Sequence, residues 1–308
     1  MVRLSDPVFK DATVDLPSPP GRDVAALKTY RYLRLGMLAA TGALAYSIVE
    51  EARKPGIGCF LGSISGYYYT PVHSVFVGVM VLIGVMLLVI KGRTVIEDAC
   101  LSLAGMMAPI VAFIPTGDDV EGVCRASMLD AGRYEPARGS PVVSASIDNN
   151  LHALLFAGYV AIALFLVAYL IQRKLHGTPP EYTIGTWVSL AAGLVLLVAA
   201  SALLRWAHDW VLDGHARAAC AMFLFLAVAA LANSYFGFKL QQTAKVFAWI
   251  YGAVGVAMIV VAVVFVAARA DGRSSLDGHL VLFIEAMEIG LFVVFWGVQT
   301  VERWHRTV

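Results

Sequence analysis

Charge is scarce in this chain. Only 15% of its 308 residues are Asp, Glu, Lys or Arg, against about 25% in soluble domains. The two signs nearly cancel, leaving a net +1. With no dense basic cluster, that balance excludes an electrostatic nucleic-acid partner. Cysteine is sparse at four residues, and no tight Cys/His spacing or HExxH pair marks a metal site. Gly62-Ser-Ile-Ser-Gly66 lacks the Lys-Ser/Thr that would make it a phosphate cradle. The two-residue alternation of outer-membrane barrel strands is missing as well. Residues 188–204 and 254–268 are apolar on every side, which suits a helix surrounded by lipid. No internal repeat is visible. The amino terminus lacks the apolar core of a signal peptide: Met1–Tyr30 is polar and contains Pro17, Pro19, Pro20 and Gly21. Residues 1–31 are expected to form a polar cytoplasmic tail, disordered up to Asp23.

What the chain has in excess is hydrophobic length. Hydrophobic residues make up 59% of it, gathered in eight runs at 35–49, 72–90, 99–115, 151–171, 183–204, 218–238, 244–268 and 278–300. A helix needs about 20 apolar residues to cross roughly 30 Å of hydrocarbon. The expected fold is an all-α, polytopic integral membrane protein. Its single domain of eight transmembrane helices spans residues 32–304, with a long outer loop at 116–150. Thr70-Pro71 reads as an N-cap followed by a first-turn proline, and Thr178-Pro-Pro-Glu181 as a capping box. The tryptophans and Tyr67, Tyr68 and Tyr69 fall near span ends, where an aromatic belt is expected.

Lys and Arg gather on cytoplasmic loops. With eight spans the two termini share a side, and 14 of the 23 Lys and Arg lie there. Both termini are therefore expected in the cytoplasm, and the protein in the cytoplasmic (plasma) membrane. Cys59 and Cys124 then fall on the oxidising side, where a disulfide between them could persist. Cys100 and Cys220 lie within apolar runs, as small buried residues do.

Glu285 and Glu288 are the sharpest candidates for chemistry. Both lie inside the last run, three residues apart and so on one helix face. A carboxylate at that depth costs at least a few kcal/mol unless it meets a cavity or a partner. Five of the seven histidines fall at outer helix ends or in outer loops: His73, His152, His208, His215 and His279. Several have acidic neighbours, as in His208-Asp209, Asp213-x-His215 and Asp277-x-His279. Imidazole and carboxylate together suit a divalent metal such as zinc. A metal site would draw on His73, His152, His208, Asp209, His215 and His279. Ser63, Ser65 and Ser74 flank the second run and read as helix-end capping residues rather than nucleophiles.

The stretch Ser63-Ile-Ser-Gly-Tyr-Tyr-Tyr-Thr-Pro-Val-His-Ser-Val-Phe-Val-Gly78 resembles a signature of bacterial multi-pass membrane proteins of unknown function. The resemblance continues through Lys91-Gly92, Ala104-Gly105, Phe113-Ile-Pro-Thr116 and His152, over roughly residues 60–170. It marks Ser65, Tyr67, Phe76, Gly78 and His152 as matching positions and implies no activity; His73-Ser74 departs from the more charged pair expected there. A looser likeness is to the ceramidase and adiponectin-receptor type of intramembrane zinc hydrolase, which uses histidines, an aspartate and a serine. The His-x-x-x-His of that group is missing here, since His279 stands alone on the last run.

Three kinds of function fit these features. A proton- or ion-coupled carrier of a small molecule would use the deep carboxylates. A metal-dependent intramembrane hydrolase of lipid or envelope intermediates would use the outer histidines. A membrane scaffold, with a membrane-protein partner or a second copy of itself, needs neither. In each case the polar residues are expected to line a cavity open to the outer face, with membrane lipids as constant neighbours.

Overall fold

The computed structural model describes residues 22–116, 123–135, 141–176, 184–207, 210–211, 214–240, 244–270 and 278–304. Among them are nine α-helices and no strand. In chain order these are α1 (Arg22–Ala52), α2 (His73–Val89), α3 (Val95–Phe113), α4 (Val123–Asp130), α5 (Pro141–His176), α6 (Ile184–Trp206), α7 (His215–Leu240), α8 (Lys245–Ala270) and α9 (Leu280–Arg303). A 3-10 helix at Ser65–Tyr69 lies between α1 and α2.

Helices run past the apolar runs because a helix formed in lipid carries its hydrogen bonding on into polar flanks. The first helix begins at Arg22, so residues 22–31 are helical rather than tail; residues 1–21 lie outside the described set. Pro141 opens α5 ten residues before the run that begins at 151, since a proline suits the first helical position. The expected loop at 116–150 therefore holds α4 and the first turns of α5. Helix α2 starts at His73 rather than beside Pro71, and the Thr70 hydroxyl instead accepts the Val72 N–H at 3.2 Å. The Thr178–Glu181 capping box lies outside the described residues.

Six helices are long and apolar enough to cross a membrane: α1, α3, α5, α7, α8 and α9. This corrects the expectation of eight by that criterion. Helix α2 has 17 residues, about 26 Å of rise. The Lys91-Gly92-Arg93 break ends it below the roughly 30 Å of a hydrocarbon core. Among the described residues α6 offers a shorter apolar stretch, Leu190–Trp206. The architecture is that of a helical multi-pass membrane protein.

Six helices form a closed ring by pairwise packing, in the order α1, α2, α3, α7, α8, α9 and back to α1. The α5–α6 pair is attached outside it, through α3. The contrast in burial follows: 61% of the apolar window of α3 is buried against protein, but none of that of α5. Small residues set the closest approach within the ring. A Cβ on Gly84 would meet the Gly105 carbonyl oxygen at 2.8 Å, and one on Gly105 the Gly84 oxygen at 2.7 Å. Pro109 has no N–H to give the Gly105 carbonyl, which leaves that oxygen facing α2. Only glycine at both positions lets α2 and α3 meet this closely, the device by which membrane helices maximise contact.

Candidate functional site

Residues 61–70, between α1 and α2, are all buried. Non-helical backbone survives at such a place only if protein satisfies it, and here several contacts do. Leu282 N–H donates to the Gly62 carbonyl at 2.8 Å. Glu135 N–H donates to the Tyr69 carbonyl at 2.9 Å, and the Tyr69 hydroxyl to Thr116 O at 2.6 Å. Burial pushes the Tyr67 phenol up to about 12, so it stays neutral while accepting the Leu61 N–H at 3.2 Å. Cys59 and Cys124 are bonded, with Cα atoms 5.6 Å apart, and tie the segment to α4. A bridge across a sequence separation of 65 contributes about 2–4 kcal/mol. Arg133 adds a two-pronged ion pair from beyond α4 to Glu51 on α1, at 2.5 Å on each prong.

The segment is organised around Glu285, on the second turn of α9. Its Oε2 accepts from the Ser63 hydroxyl at 2.8 Å and from the Ile64 and Ser65 N–H groups at 2.5 and 3.4 Å. Its Oε1 lies 2.5 Å from Ser65 Oγ. On the other side of Ser65 Oγ, His215 Nε2 is 2.8 Å away. His215 is the first residue of α7 and is buried. Its Nδ1 lies 2.6 Å from the Ile114 carbonyl. A carbonyl oxygen can only accept, so Nδ1 carries the hydrogen and Nε2 is the atom turned to Ser65.

Ser65 has one hydroxyl hydrogen and two acceptors in reach. With imidazole neutral and Glu285 ionised, only one of the two contacts can be a hydrogen bond. Both are satisfied when one further proton is present, on His215 Nε2 or on Glu285. A single proton can therefore move between a base, a hydroxyl and a carboxyl without any heavy atom moving far. A hydroxyl within reach of a base that a third group orients is the arrangement of an activated nucleophile.

A cavity of about 70 Å³ is lined by Ser65 and Glu285 among apolar side chains of the helix ring. Helix α2 lines it with Phe76, Val79, Met80, Ile83 and Leu87, and α1, α3, α7 and α9 close it with further apolar side chains. Beyond Ser65 and Glu285, Thr41 is its one hydroxyl-bearing residue, and that hydroxyl is engaged by Met37 O at 2.9 Å.

The other expected site residues are dispersed. His73 Nδ1 donates to Tyr68 O at 2.8 Å. His152 is exposed on α5 and donates to Asp148 O at 2.9 Å. His279 Nε2 donates to Phe60 O at 3.1 Å. His208, Asp209, Asp213 and Asp277 lie outside the described residues. Among the described residues no three His, Cys, Asp or Glu are grouped to hold a metal. His73, His152, His215 and His279 thus do not converge as the proposed ligand set required. Each turns a ring nitrogen to a different backbone carbonyl. Glu288 does not share the setting of Glu285. It is buried, and neither carboxyl oxygen has a hydrogen-bond partner among the described residues.

A second polar cluster, not foreseen from the sequence, closes the opposite end of the ring. Glu97 is fully buried and accepts from Gln299 Nε2 at 2.5 Å, from Arg303 at 3.1 and 3.2 Å, and from Arg93 N–H at 2.5 Å. Arg34 donates to Gln299 Oε1 at 2.8 Å and lies over the Trp296 ring, 4.7 Å from its centroid. Tyr30 takes hydrogen bonds from both Arg34 and Arg303, at 2.5 and 2.7 Å. Glu302 is held by Tyr251 at 2.5 Å and Arg93 at 2.7 Å. The one hint in the sequence was Thr94-x-x-Glu97, a capping box whose hydroxyl accepts the Glu97 N–H at 3.1 Å.

Fold and site together define a helical multi-pass membrane protein in which buried Ser65 and His215 meet half-buried Glu285 at one end of the ring. No family model, curated protein or solved structure matches the chain.

Proposed function

We propose that the protein is a membrane-embedded acyl-transfer enzyme with Ser65 as its nucleophile. The observation that carries this reading is Ser65 Oγ, 2.8 Å from His215 Nε2, with the ring held by Ile114. Ser65 Oγ attacks the carbonyl carbon of an ester while its proton passes to Nε2. The ester C–O bond then breaks, and the imidazolium returns the proton to the departing alkoxide. Water or another alcohol, deprotonated in turn by Nε2, releases the acyl group from Ser65. The Ile64 and Ser65 N–H groups and the Ser63 hydroxyl converge on one oxygen of Glu285. These are the donors an oxyanion requires, and Glu285 yields them as the substrate carbonyl enters. The reading is tested by exposing purified protein to a fluorophosphonate. Labelling of Ser65, lost in Ser65→Ala and retained in Ser74→Ala, with matching loss of ester turnover, is expected. Absence of both label and turnover in the wild-type protein would overturn it.

This reading places the protein in the plasma membrane with eight crossings, α2 and α6 included, and both termini in the cytoplasm. The excess of Lys and Arg at the Glu97 end supports that orientation. So does the disulfide beside Ser65, which persists on an oxidising face. The active site then opens at the outer leaflet.

One observation favours a second reading, a proton-coupled carrier. Glu288 is a buried carboxyl with no partner among the described residues, one helical turn from Glu285, as a relay step would be. Proton uptake into proteoliposomes that stops in Glu288→Gln would support it. Passive proteoliposomes under every imposed gradient would remove it.

A further inference from the structure

We propose that the arginines at the Glu97 end of the ring hold one phosphate monoester or free phosphate, the former carried as a lipid headgroup. The inference is independent of Ser65 and its chemistry.

The charges at that end do not balance. Tyr30 gathers three of the cations: it accepts from Arg34 and Arg303 and donates to the Lys91 carbonyl at 3.3 Å. Arg31 donates to the carbonyl of Trp304, beside Arg303, and Arg93 reaches Glu302 on the other side of it. Three carboxylates face these five cations. Lys91 pairs with Asp98, Arg93 with Glu302 and Arg303 with Glu97. Arg31 and Arg34 have no carboxylate partner among the described residues, although Arg34 is only 1% exposed. A buried guanidinium without a counter-charge is costly. Arg34 stacks on Tyr30 and Trp296, and Arg31 on Trp304. Ring faces offset part of the cost, but they leave N–H groups in the guanidinium plane unsatisfied.

The hydrogen bonding is incomplete in the same place. Arg31 Nε, Arg34 Nε, Arg93 Nη1 and Arg303 Nε are buried with no acceptor among the described residues. Nearly all buried donors in native proteins are paired, so four on neighbouring arginines call for an acceptor with several oxygens. The cluster can be reached from its rim, where the side chains of Lys91, Arg93 and Arg303 are 64%, 18% and 12% exposed. A phosphate monoester carries about −1.5 to −2 charge and three acceptor oxygens, which matches the two unpaired cations. Its oxygens suit the guanidinium fork. A carboxylate would bring one charge and two oxygens. Basic pockets between membrane helices take phosphorylated headgroups on the cytoplasmic side, where the proposed orientation puts this end. The bound group would tie α1, α3 and α9 together at headgroup level.

The test titrates full-length protein in mild detergent with phosphatidate, phosphatidylglycerol or inorganic phosphate. The unfolding midpoint is read against sodium chloride of equal ionic strength. Phosphatidate is expected to raise the midpoint, at a concentration at least about tenfold below that of phosphatidylglycerol, whose phosphodiester carries a single charge. Arg31→Gln should raise the phosphatidate concentration needed by at least about tenfold, the worth of one hydrogen bond to a charged group. Lys28→Gln removes an exposed cation one turn away, stacked on Tyr32. It should change that concentration by less than about twofold, because exposed charges contribute little. A midpoint raised as far by inorganic phosphate would make the ligand the free anion, and a response to phosphatidate alone would make it the lipid. Equal responses to phosphatidate and phosphatidylglycerol, equal losses in Lys28→Gln and Arg31→Gln, or no response to any of the three would overturn the site.

A second measurement needs no variant to fold. Phosphatidate carrying a diazirine close to its phosphate, photolysed with wild-type protein, should label residues 28–34, 91–97 and 299–304. Excess phosphatidate should displace the label and excess phosphatidylglycerol should not. Label confined to other segments, with no response to inorganic phosphate, would overturn the site.

Discussion

Glu97→Ala is expected to cost about 3–5 kcal/mol of stability, the usual cost of removing one partner from a buried ion pair. The reason lies in what would be left behind. Glu97 has no solvent exposure and is the acceptor for Arg303, Gln299 and the Arg93 peptide. Without it, the Arg303 guanidinium keeps only the Tyr30 hydroxyl as an acceptor, and the Gln299 and Arg93 amide donors lose theirs. The damage extends to Arg34, which reaches Glu97 through Gln299, so α1, α3 and α9 would all loosen at one end. Unfolding followed by titration with a strong detergent against a mild one would read the loss. Glu97→Gln should recover a large share of it, because an amide oxygen still accepts, though without the charge. A midpoint for Glu97→Ala unchanged from wild type would mean that the cluster is hydrated and contributes little.

His215→Gln is expected to lower ester turnover by about two to four orders of magnitude, the range that general-base catalysis supplies. Glutamine can still bridge Ile114 and Ser65, so the start of α7 should keep its place. It cannot take up a proton near neutral pH, so Ser65 would have to attack as a neutral hydroxyl. Fluorophosphonate labelling of Ser65 should slow in parallel, while the unfolding midpoint changes little. Turnover within about tenfold of wild type, too small for loss of a general base, would show that Glu285, 2.5 Å from the same hydroxyl, takes the proton instead. Ser65 would remain the nucleophile with a carboxylate base.

The two experiments probe opposite ends of one ring, and the contrast shows how polar groups are handled in the molecule. At the Glu97 end Glu97 and Glu302 are tied to Arg303 and Arg93, and Arg34 joins them through Gln299, so that α1, α3 and α9 are held together. At the Ser65 end one hydroxyl hydrogen serves two acceptors, His215 and Glu285. On the proposed reading, stability resides at the first end and reactivity at the second.

The sequence by itself determined the class of the protein. Apolar runs long enough for a bilayer need no partner to become helices, because lipid offers the backbone no alternative. The scarcity of charge and the punctuation by Lys91-Gly92-Arg93 were legible for the same reason. So were Glu285 and Glu288 as a pair, since an apolar run makes a carboxyl conspicuous; that only Glu285 meets Ser63 and Ser65 was not legible. What only the tertiary structure decided is which faces meet. A helix that is apolar all round carries no periodic signal for the face that packs against protein, so nothing in the chain separates the buried side of α3 from the lipid side of α5. Ser65 looked like a capping residue because its base stands 150 positions away. Arg34, Glu97 and Gln299 likewise look like ordinary span-end residues until ring closure brings α1, α3 and α9 together. Five of the seven histidines were expected at the outer side from the sequence order alone. The backbone carbonyls waiting for each of them belong to the folded chain, and those carbonyls sent four of the rings to separate places.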